Sequence, residues 1–165
     1  MHVLTQQFQR GMARLLPRIP GLIPLSYPIY RFFRPKYSMG VVGVLFNPAG
    51  EVLLVEHVFH PRIPWGLPGG WVDNNEDPKI AVCRELREEL SIKATIVSVI
   101  VVEKTIYNHL DLAFLCRTQD DIGTLSYELL NYRWFPLQQL PLLHRFHYDA
   151  IHQAKRFMEH PAWQN

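Results

Sequence analysis

The chain has 165 residues, a length that suits one globular domain with or without a short appendage. Hydrophobic residues make up 48% and charged residues 19%, so the composition supports a buried core and argues against a disordered chain. The formal net charge of +2 gives no overall indication of nucleic-acid binding, and two cysteines are too few for a disulfide framework. Because neither a membrane-spanning apolar run nor a signal-peptide pattern is present, we expect a cytoplasmic protein.

The first 36 residues differ from the rest in charge and composition. They contain six basic residues and no acidic one, for a charge of +6, whereas residues 37–165 carry −4. Five prolines between positions 17 and 35 exclude a long helix there, although residues 3–16 have apolar residues at helical spacing. We therefore predict a basic, apolar N-terminal arm at residues 1–36, followed by a globular domain at residues 37–165.

The elements predicted from Tyr37 onwards alternate between strands and helices. The apolar segments 41–46 and 52–55 flank a Pro- and Gly-containing turn at 47–50, which predicts a β-hairpin. Asp77, followed by a proline, predicts a helix start. That helix extends to about residue 90, with further strands at 94–103, 110–117 and 132–136 and a closing helix at 145–158. This order predicts an α/β fold with a mixed β-sheet between helices.

The helix that starts after Asp77 carries three carboxylates on one side. At roughly 100° per residue, Glu85, Glu88 and Glu89 fall on one face and the apolar residues fall on the opposite face. Carboxylates one turn apart repel one another, and few basic residues are interleaved with them. A solvated acidic face is one interpretation. The other is a site for Mg²⁺ or Mn²⁺, because clustered oxygen ligands suit these cations.

The spacing of the residues around these carboxylates favours the second interpretation. Gly70 is followed after five residues by Glu76, and after seven more by the segment RELREELSI at residues 84–92. This resembles the Nudix box, G-x5-E-x7-R-E-U-x-E-E-x-G-U, in which U is a bulky apolar residue. Ser91 stands where the family has glycine, at a helix end where glycine eases a left-handed turn. The segments WGLPGG at 65–70 and WFPL at 134–137 also resemble the family, so the resemblance covers about residues 37–145.

The resemblance implies both a fold and an activity. The fold is a Nudix-type α/β/α sandwich with a mixed β-sheet between helices. The activity is that of a pyrophosphohydrolase that uses Mg²⁺ or Mn²⁺ to cleave the pyrophosphate bond of a nucleoside diphosphate linked to another moiety. The implied metal ligands are the three helix carboxylates and a backbone carbonyl of the glycine pair: Glu85, Glu88, Glu89, Gly69 and Gly70.

The resemblance also implies roles for residues around the metal ligands. Arg84 is expected to orient the catalytic glutamates rather than to contact substrate, and Glu76 is expected to accept its hydrogen bonds. Members of the family often use a fourth carboxylate from a later loop, as metal ligand or general base, and Glu128 occupies that position. The competing acids are Asp120, Asp121 and Glu103.

The box does not specify which moiety is attached to the nucleotide, because selectivity lies outside it. Candidate substrate-binding residues are Trp65, Tyr107 and Phe59, and Trp71 is a further candidate for stacking on a base. Each of these aromatic residues could equally serve packing.

Two other classes of function remain open. A Nudix-like regulator would bind a nucleotide without cleaving it, but such a protein would be expected to lack a box glutamate, and this chain has all of them. The basic arm could also bind RNA or a membrane surface. We expect the arm to dock within a homodimer, with membrane contact and a self-docked monomer as the alternatives.

Overall fold

The computed structural model describes residues 32–105 and 107–160. The strands are β1 (Ser38–Val44), β2 (Val52–His57), β3 (Trp65–Gly66), β4 (Gly69–Trp71), β5 (Ala94–Lys104), β6 (His109–Thr118) and β7 (Leu129–Phe135). The α-helices are α1 (Pro78–Leu90) and α2 (Arg145–Glu159), and a 3-10 turn spans Leu137–Gln139. The chain divides into two units, residues 1–36 and 37–165. The helix expected at residues 3–16 lies outside the described part of the chain.

The strands form two sheets. The first sheet has the order β4-β1-β6-β5; β1 is parallel to β6, and the other pairs are antiparallel. The second sheet has the order β3-β2-β7 and is antiparallel throughout. No helix in the described residues is long and apolar enough to cross a membrane.

The β-hairpin predicted from segments 41–46 and 52–55 forms only next to its turn. The turn between them forms, with the Gly50 N–H donating to the Asn47 carbonyl at 2.9 Å. However, β1 and β2 meet only near the turn, at the bridge between Phe46 and Val52, and then enter different sheets. Val52 to Val55 are all buried, so β2 is covered on both faces. The apolar sequence of such a strand predicts its burial but does not indicate which strand pairs with it.

Two apolar clusters lie on the two sides of the sheets. The helix α1 contributes Ala81, Val82, Leu86 and Leu90 to the first cluster. The helix α2 contributes Phe146, Ala150, Ile151 and Ala154 to the second. Leu53 and Val55 of β2 belong to the first cluster, whereas Val52 and Leu54 belong to the second, as the alternation of a strand requires. The predicted α/β/α sandwich with a mixed sheet is therefore confirmed.

Both ends of α1 are capped. The Asp77 side chain accepts a hydrogen bond from the Lys79 N–H at 2.8 Å, and proline follows Asp77, as predicted. Ser91 adopts the left-handed conformation, with φ 57° and ψ 29°, and its N–H donates to the Arg87 carbonyl. Its hydroxyl donates to the Thr124 carbonyl at 2.8 Å. Serine thus closes the helix where the Nudix pattern has glycine, and the added hydrogen bond offsets part of the conformational cost.

Substituting Ser91 separates these two effects. Ser91→Gly removes a left-handed strain of about 1 kcal/mol and a hydrogen bond worth about 1 kcal/mol, so we expect little change in the free energy of unfolding. Ser91→Ala keeps the strain and loses the hydrogen bond, so it should be less stable by about 1 kcal/mol. Urea unfolding measures both, and an alanine variant as stable as the glycine variant would contradict this account.

A half-buried histidine joins α2 to the segment before β4. The Nδ1 atom of His147 accepts the Leu67 N–H at 2.8 Å, which requires a neutral ring. Burial, with smaller effects of His144, His57 and His60, lowers the pKa of His147 to about 4. This ring is therefore uncharged in the folded chain at neutral pH.

We expect acid to destabilise the fold through this ring. In the unfolded chain His147 takes up a proton near pH 6.5. The folded chain takes it up only near pH 4. The contribution of the neutral His147 ring to the free energy of unfolding is therefore complete above pH 6.5 and is lost as the pH falls towards 4. The difference amounts to about 3 kcal/mol. His147→Asn keeps an acceptor near Nδ1 and does not titrate, so its Tm should fall less than that of wild type between pH 7 and 4.5. Equal falls would contradict the assignment.

Candidate active site

The three glutamates of α1 differ strongly in burial. The Glu88 side chain is 58% exposed and that of Glu85 is 14% exposed. Glu89 is only 4% exposed, and one of its carboxylate oxygens accepts the Gly69 N–H at 2.8 Å. Glu89 is therefore buried although the helical wheel places it opposite the apolar residues, because β4 covers that part of the helix.

Two glycines allow the backbone of β4 to approach these carboxylates. Gly69 has φ 149°, and a Cβ atom there would overlap the Val41 carbonyl oxygen. A Cβ atom on Gly70 would lie 2.6 Å from the carboxyl carbon of Glu85. A larger residue at Gly69 would therefore push β4 away from β1, and one at Gly70 would displace the Glu85 carboxylate. Both glycines lie at the glutamates, as the box pattern predicted.

Arg84 connects the glutamates to β4 and to the preceding loop. Its Nε and Nη2 atoms donate to the two oxygens of Glu76, both at 2.9 Å, and Nη2 also donates to the Trp71 carbonyl at 3.0 Å. Its Nη1 atom donates to Glu85 at 2.8 Å and to Glu88 at 3.2 Å. A planar guanidinium is suited to such a set of bonds, whereas an ammonium group is not. The contact between Arg84 and Glu76 agrees with the pairing that the resemblance implied.

The pKa values of Glu76 and Glu85, which both accept hydrogen bonds from Arg84, shift in opposite directions. Hydrogen bonds donated by Arg84, and then that of the Asp73 N–H, lower the pKa of Glu76. Burial raises the pKa of Glu85 against the opposing effect of Arg84. Glu76 is therefore held as an anion, whereas the charge of Glu85 is only partly stabilised.

Glu89 lies in the least favourable electrostatic environment. Burial raises its pKa to about 8, which the Gly69 N–H opposes and the charges of Glu85, Glu128 and Glu88 increase. Within residues 32–105 and 107–160, no basic side chain forms an ion pair with Glu89. A buried carboxylate among like charges favours either a proton or a cation beside it. The donor set, which consists of oxygen atoms only, fits a divalent cation such as Mg²⁺ or Mn²⁺.

The charge of Glu128 also acts on these glutamates. It raises the pKa of Glu85 and Glu89, and no competing acid contributes to either shift. Asp120 instead accepts the Lys93 N–H at 2.7 Å, just beyond the C-terminus of α1. The position of Glu128 just before β7 thus directs its charge towards the glutamates.

The glutamate side chains of α1 do not converge on a common point in this structure. Across the described ranges, no three His, Cys, Asp or Glu side chains converge so that they could hold a metal ion. The hydrogen bonds explain this, because Arg84 holds Glu85 and Glu88 while the Gly69 N–H holds Glu89. A cation would have to compete with Arg84 for the first two carboxylates.

The predicted aromatic contacts do not form one group. The ring of Trp65 packs edge-on against Phe135, with centroids 5.0 Å apart, in the second apolar cluster. Tyr107 is 93% exposed at the turn between β5 and β6, and Phe59 lines a cavity of about 330 Å³. A larger cavity of about 830 Å³, beside the turn at 47–50, contains none of the box residues. Trp65 thus serves packing, whereas Tyr107 and Phe59 have exposed rings.

Comparison with known proteins agrees with this geometry. The NUDIX domain matches residues 36–157. The chain is 28% identical over 114 residues to a MutT-like protein of Streptomyces ambofaciens, covering 68% of this chain and 73% of that protein. It is also 41% identical over 59 residues to an RNA pyrophosphohydrolase of Caulobacter vibrioides, covering 35% and 34%. The chain spans less than half the length of several of the curated relatives that it matches.

A solved structure supports the same fold. The crystal structure of an ADP-ribose pyrophosphatase from Streptococcus suis matches with a TM-score of 0.66. The match has 22% sequence identity and covers 78% of this chain and 97% of that one. Because the family match covers most of the sequence and includes both helices, β4 and the glutamates, the chain belongs to the Nudix family.

Proposed function

We propose that this Nudix pyrophosphohydrolase depends on a divalent metal and cleaves the pyrophosphate bond of a nucleoside diphosphate linked to another moiety. The observation that carries the proposal is the environment of Glu89. This carboxylate is buried, lies among three further carboxylates and has a pKa raised to about 8. Such a cluster costs stability unless a cation offsets it, and perturbed carboxylates of this kind are typical of active sites.

The proposed cation ligands are Glu85, Glu88 and Glu89, with a backbone carbonyl of Gly69 or Gly70. A bound Mg²⁺ or Mn²⁺ supplies Lewis acidity towards the phosphate oxygens and makes a bound water more acidic.

Around these ligands, the chain's own residues position the reacting groups. Arg84 holds Glu85 and Glu88 at set positions through its Nη1 atom. Glu128 is the proposed fourth carboxylate and general base, because its charge already acts on Glu85 and Glu89.

The names of related proteins support a phosphoanhydride bond as the target. One relative is named an RNA pyrophosphohydrolase, and a protein of the same fold is named an ADP-ribose pyrophosphatase. The attached group differs between these two, which is consistent with selectivity outside the box. We therefore propose a nucleotide-type substrate whose attached group is selected by residues outside the box.

The decisive experiment compares a nucleotide panel with and without Mg²⁺. Phosphate or nucleotide release that requires Mg²⁺ supports the hydrolase. Binding of a nucleotide without release across the panel supports the alternative, a Nudix-like regulator that binds but does not cleave.

Glu89→Gln tests the metal site. The substitution keeps the shape and an acceptor for the Gly69 N–H but removes the buried charge, so we expect turnover to fall about 10²–10³-fold. In EDTA the Tm should equal or exceed that of wild type, because repulsion with Glu85 and Glu128 is relieved. The matched control is Glu159→Gln on α2, which should keep full turnover. A folded Glu89→Gln enzyme with normal turnover in Mg²⁺ would contradict the assignment.

Arg84→Lys tests the positioning role. Lysine retains the charge but cannot bind Glu76, Glu85 and Glu88 at once, so we expect kcat to fall while KM changes little. Arg87→Lys, at an exposed position on the same helix, is the control and should behave as wild type. A raised KM with an unchanged kcat would instead place Arg84 on the substrate.

A further inference from the structure

The β6–β7 segment, which comprises residues 119–128, is bound along the C-terminal end of α1. The Gly123 N–H donates to the Leu90 carbonyl at 2.9 Å, and the Ser126 N–H donates to the Glu89 carbonyl at 3.0 Å. Both acceptors belong to the last turn of α1, where backbone carbonyls have no partner within the helix. The segment therefore supplies hydrogen-bond donors that this helix end needs.

Ser91 adds a side-chain contact to the same segment. Its hydroxyl donates to the Thr124 carbonyl at 2.8 Å. Its Cβ atom faces Gly123, because a Cβ atom on Gly123 would lie only 2.8 Å from it. The φ of Gly123 is outside the left-handed region, so the backbone there does not itself require glycine. Ser91 and Gly123 are therefore complementary, since the serine occupies the space that a side chain at position 123 would need.

The β6–β7 segment ends at Glu128, the proposed fourth carboxylate. Ser126, which is bonded to the backbone of Glu89, lies two residues before it, and the Glu128 carbonyl accepts the Val58 N–H at 2.9 Å. The charge of Glu128 acts on Glu85 and Glu89. The position of this carboxylate relative to the helix glutamates therefore depends on how the segment is bound to α1.

Other contacts hold the segment beside α1 whatever residue stands at position 91. Asp120 accepts the Lys93 N–H at 2.7 Å, and Ile122 and Leu125 pack against the first apolar cluster. Loss of the Ser91 hydroxyl should therefore shift the segment without unfolding the domain. Because one hydrogen bond changes an equilibrium about fivefold, the shift should be measurable.

We propose that Ser91 is a positioning residue for the hydrolysis, because its contacts with Gly123 and Thr124 set the position of the β6–β7 segment and hence of Glu128. The glycine of the Nudix pattern has neither the hydroxyl nor the Cβ atom that makes these contacts. Serine at position 91 thus adds a link between the catalytic helix and the segment that follows β6. The inference rests on the proposed function, since the position of Glu128 affects turnover only if Glu128 takes part in the hydrolysis.

Two substitutions of Ser91 separate positioning from stability. Ser91→Gly and Ser91→Ala both remove the hydroxyl, so both should lower kcat about two- to fivefold, with KM unchanged, for the panel nucleotide that is cleaved fastest in Mg²⁺. Because only the alanine variant is expected to lose stability, a fall in kcat shared by both does not arise from instability. The matched control is Ser98→Ala, which removes an exposed serine hydroxyl that donates to the Val99 carbonyl on β5 and should keep the kcat of wild type.

Gly123→Ala tests the complementary pair. Its Cβ atom would collide with that of Ser91 and displace the segment, so kcat should fall about tenfold or more. Adding Ser91→Gly removes the collision and leaves the Leu90 carbonyl oxygen at an ordinary 3.5 Å, so the double variant should recover the kcat of Ser91→Gly alone. In a Glu128→Gln background, neither substitution should lower kcat further. Falls of undiminished size in that background would overturn the inference, because the effect would not pass through Glu128.

Hydrogen exchange in EDTA separates this inference from the proposed hydrolysis. The Ser126 N–H should exchange about fivefold faster in Ser91→Gly than in wild type, whereas the buried Leu53 N–H should exchange at an unchanged rate. Faster exchange at Ser126 without cleavage of any nucleotide overturns the proposed function and confirms that Ser91 holds the segment. Cleavage with the kcat of wild type in both Ser91→Gly and Gly123→Ala overturns the inference and leaves the proposed function standing. Unchanged exchange together with absence of cleavage overturns both.

Discussion

The guanidinium of Arg84 is the interaction on which the site depends. Three of its nitrogen atoms bind Glu76, the Trp71 carbonyl, Glu85 and Glu88, at distances between 2.8 and 3.2 Å. These bonds join the loop before α1, the edge strand β4 and the helix itself. Since arginine keeps its charge under all ordinary conditions, it also offsets the repulsion between the two helix glutamates that it binds.

That compensation does not extend to Glu89. The nearest donor to this carboxylate is the uncharged Gly69 N–H, and burial raises its pKa to about 8. A folded domain is stable by only about 5–15 kcal/mol, so an uncompensated buried carboxylate is a substantial cost. Arg84 therefore stabilises Glu85 and Glu88 directly through hydrogen bonds, whereas Glu89 depends on the Gly69 N–H. The proposed cation would compete with Arg84 for Glu85 and Glu88, so its binding would be linked to the loop that Arg84 holds through Glu76.

The sequence predicted those parts of the site that depend on local spacing. Asp77 and Ser91 define the ends of α1, and the spacing of Arg84 from the glutamates follows from the helical turn. Burial of Glu89 was missed, because a helical wheel shows only the apolar face as covered, whereas β4 approaches the polar face through Gly69. The partner of β2 was missed for a related reason. Strand pairing depends on residues that are distant in the sequence, and the apolar sequence of a strand buried on both faces does not indicate its partner.

The relation between Trp71 and Asp111 is hidden from the sequence for the same reason. Forty residues separate them, and they become neighbours only because Gly40 lies between them in the register of three strands. Glycine has distinct effects along this edge: Gly69 lets β4 lie close to the backbone of β1, Gly70 leaves room for the Glu85 carboxylate, and Gly40 leaves room for the Asp111 carboxylate and the His109 ring. The short strand β4 therefore carries Gly70 against the glutamates and, one residue later, the exposed Trp71 on its other face. Residues on that outer face can change while α1 and its glutamates remain unchanged, which gives a physical basis for varied selectivity on one helix of this fold.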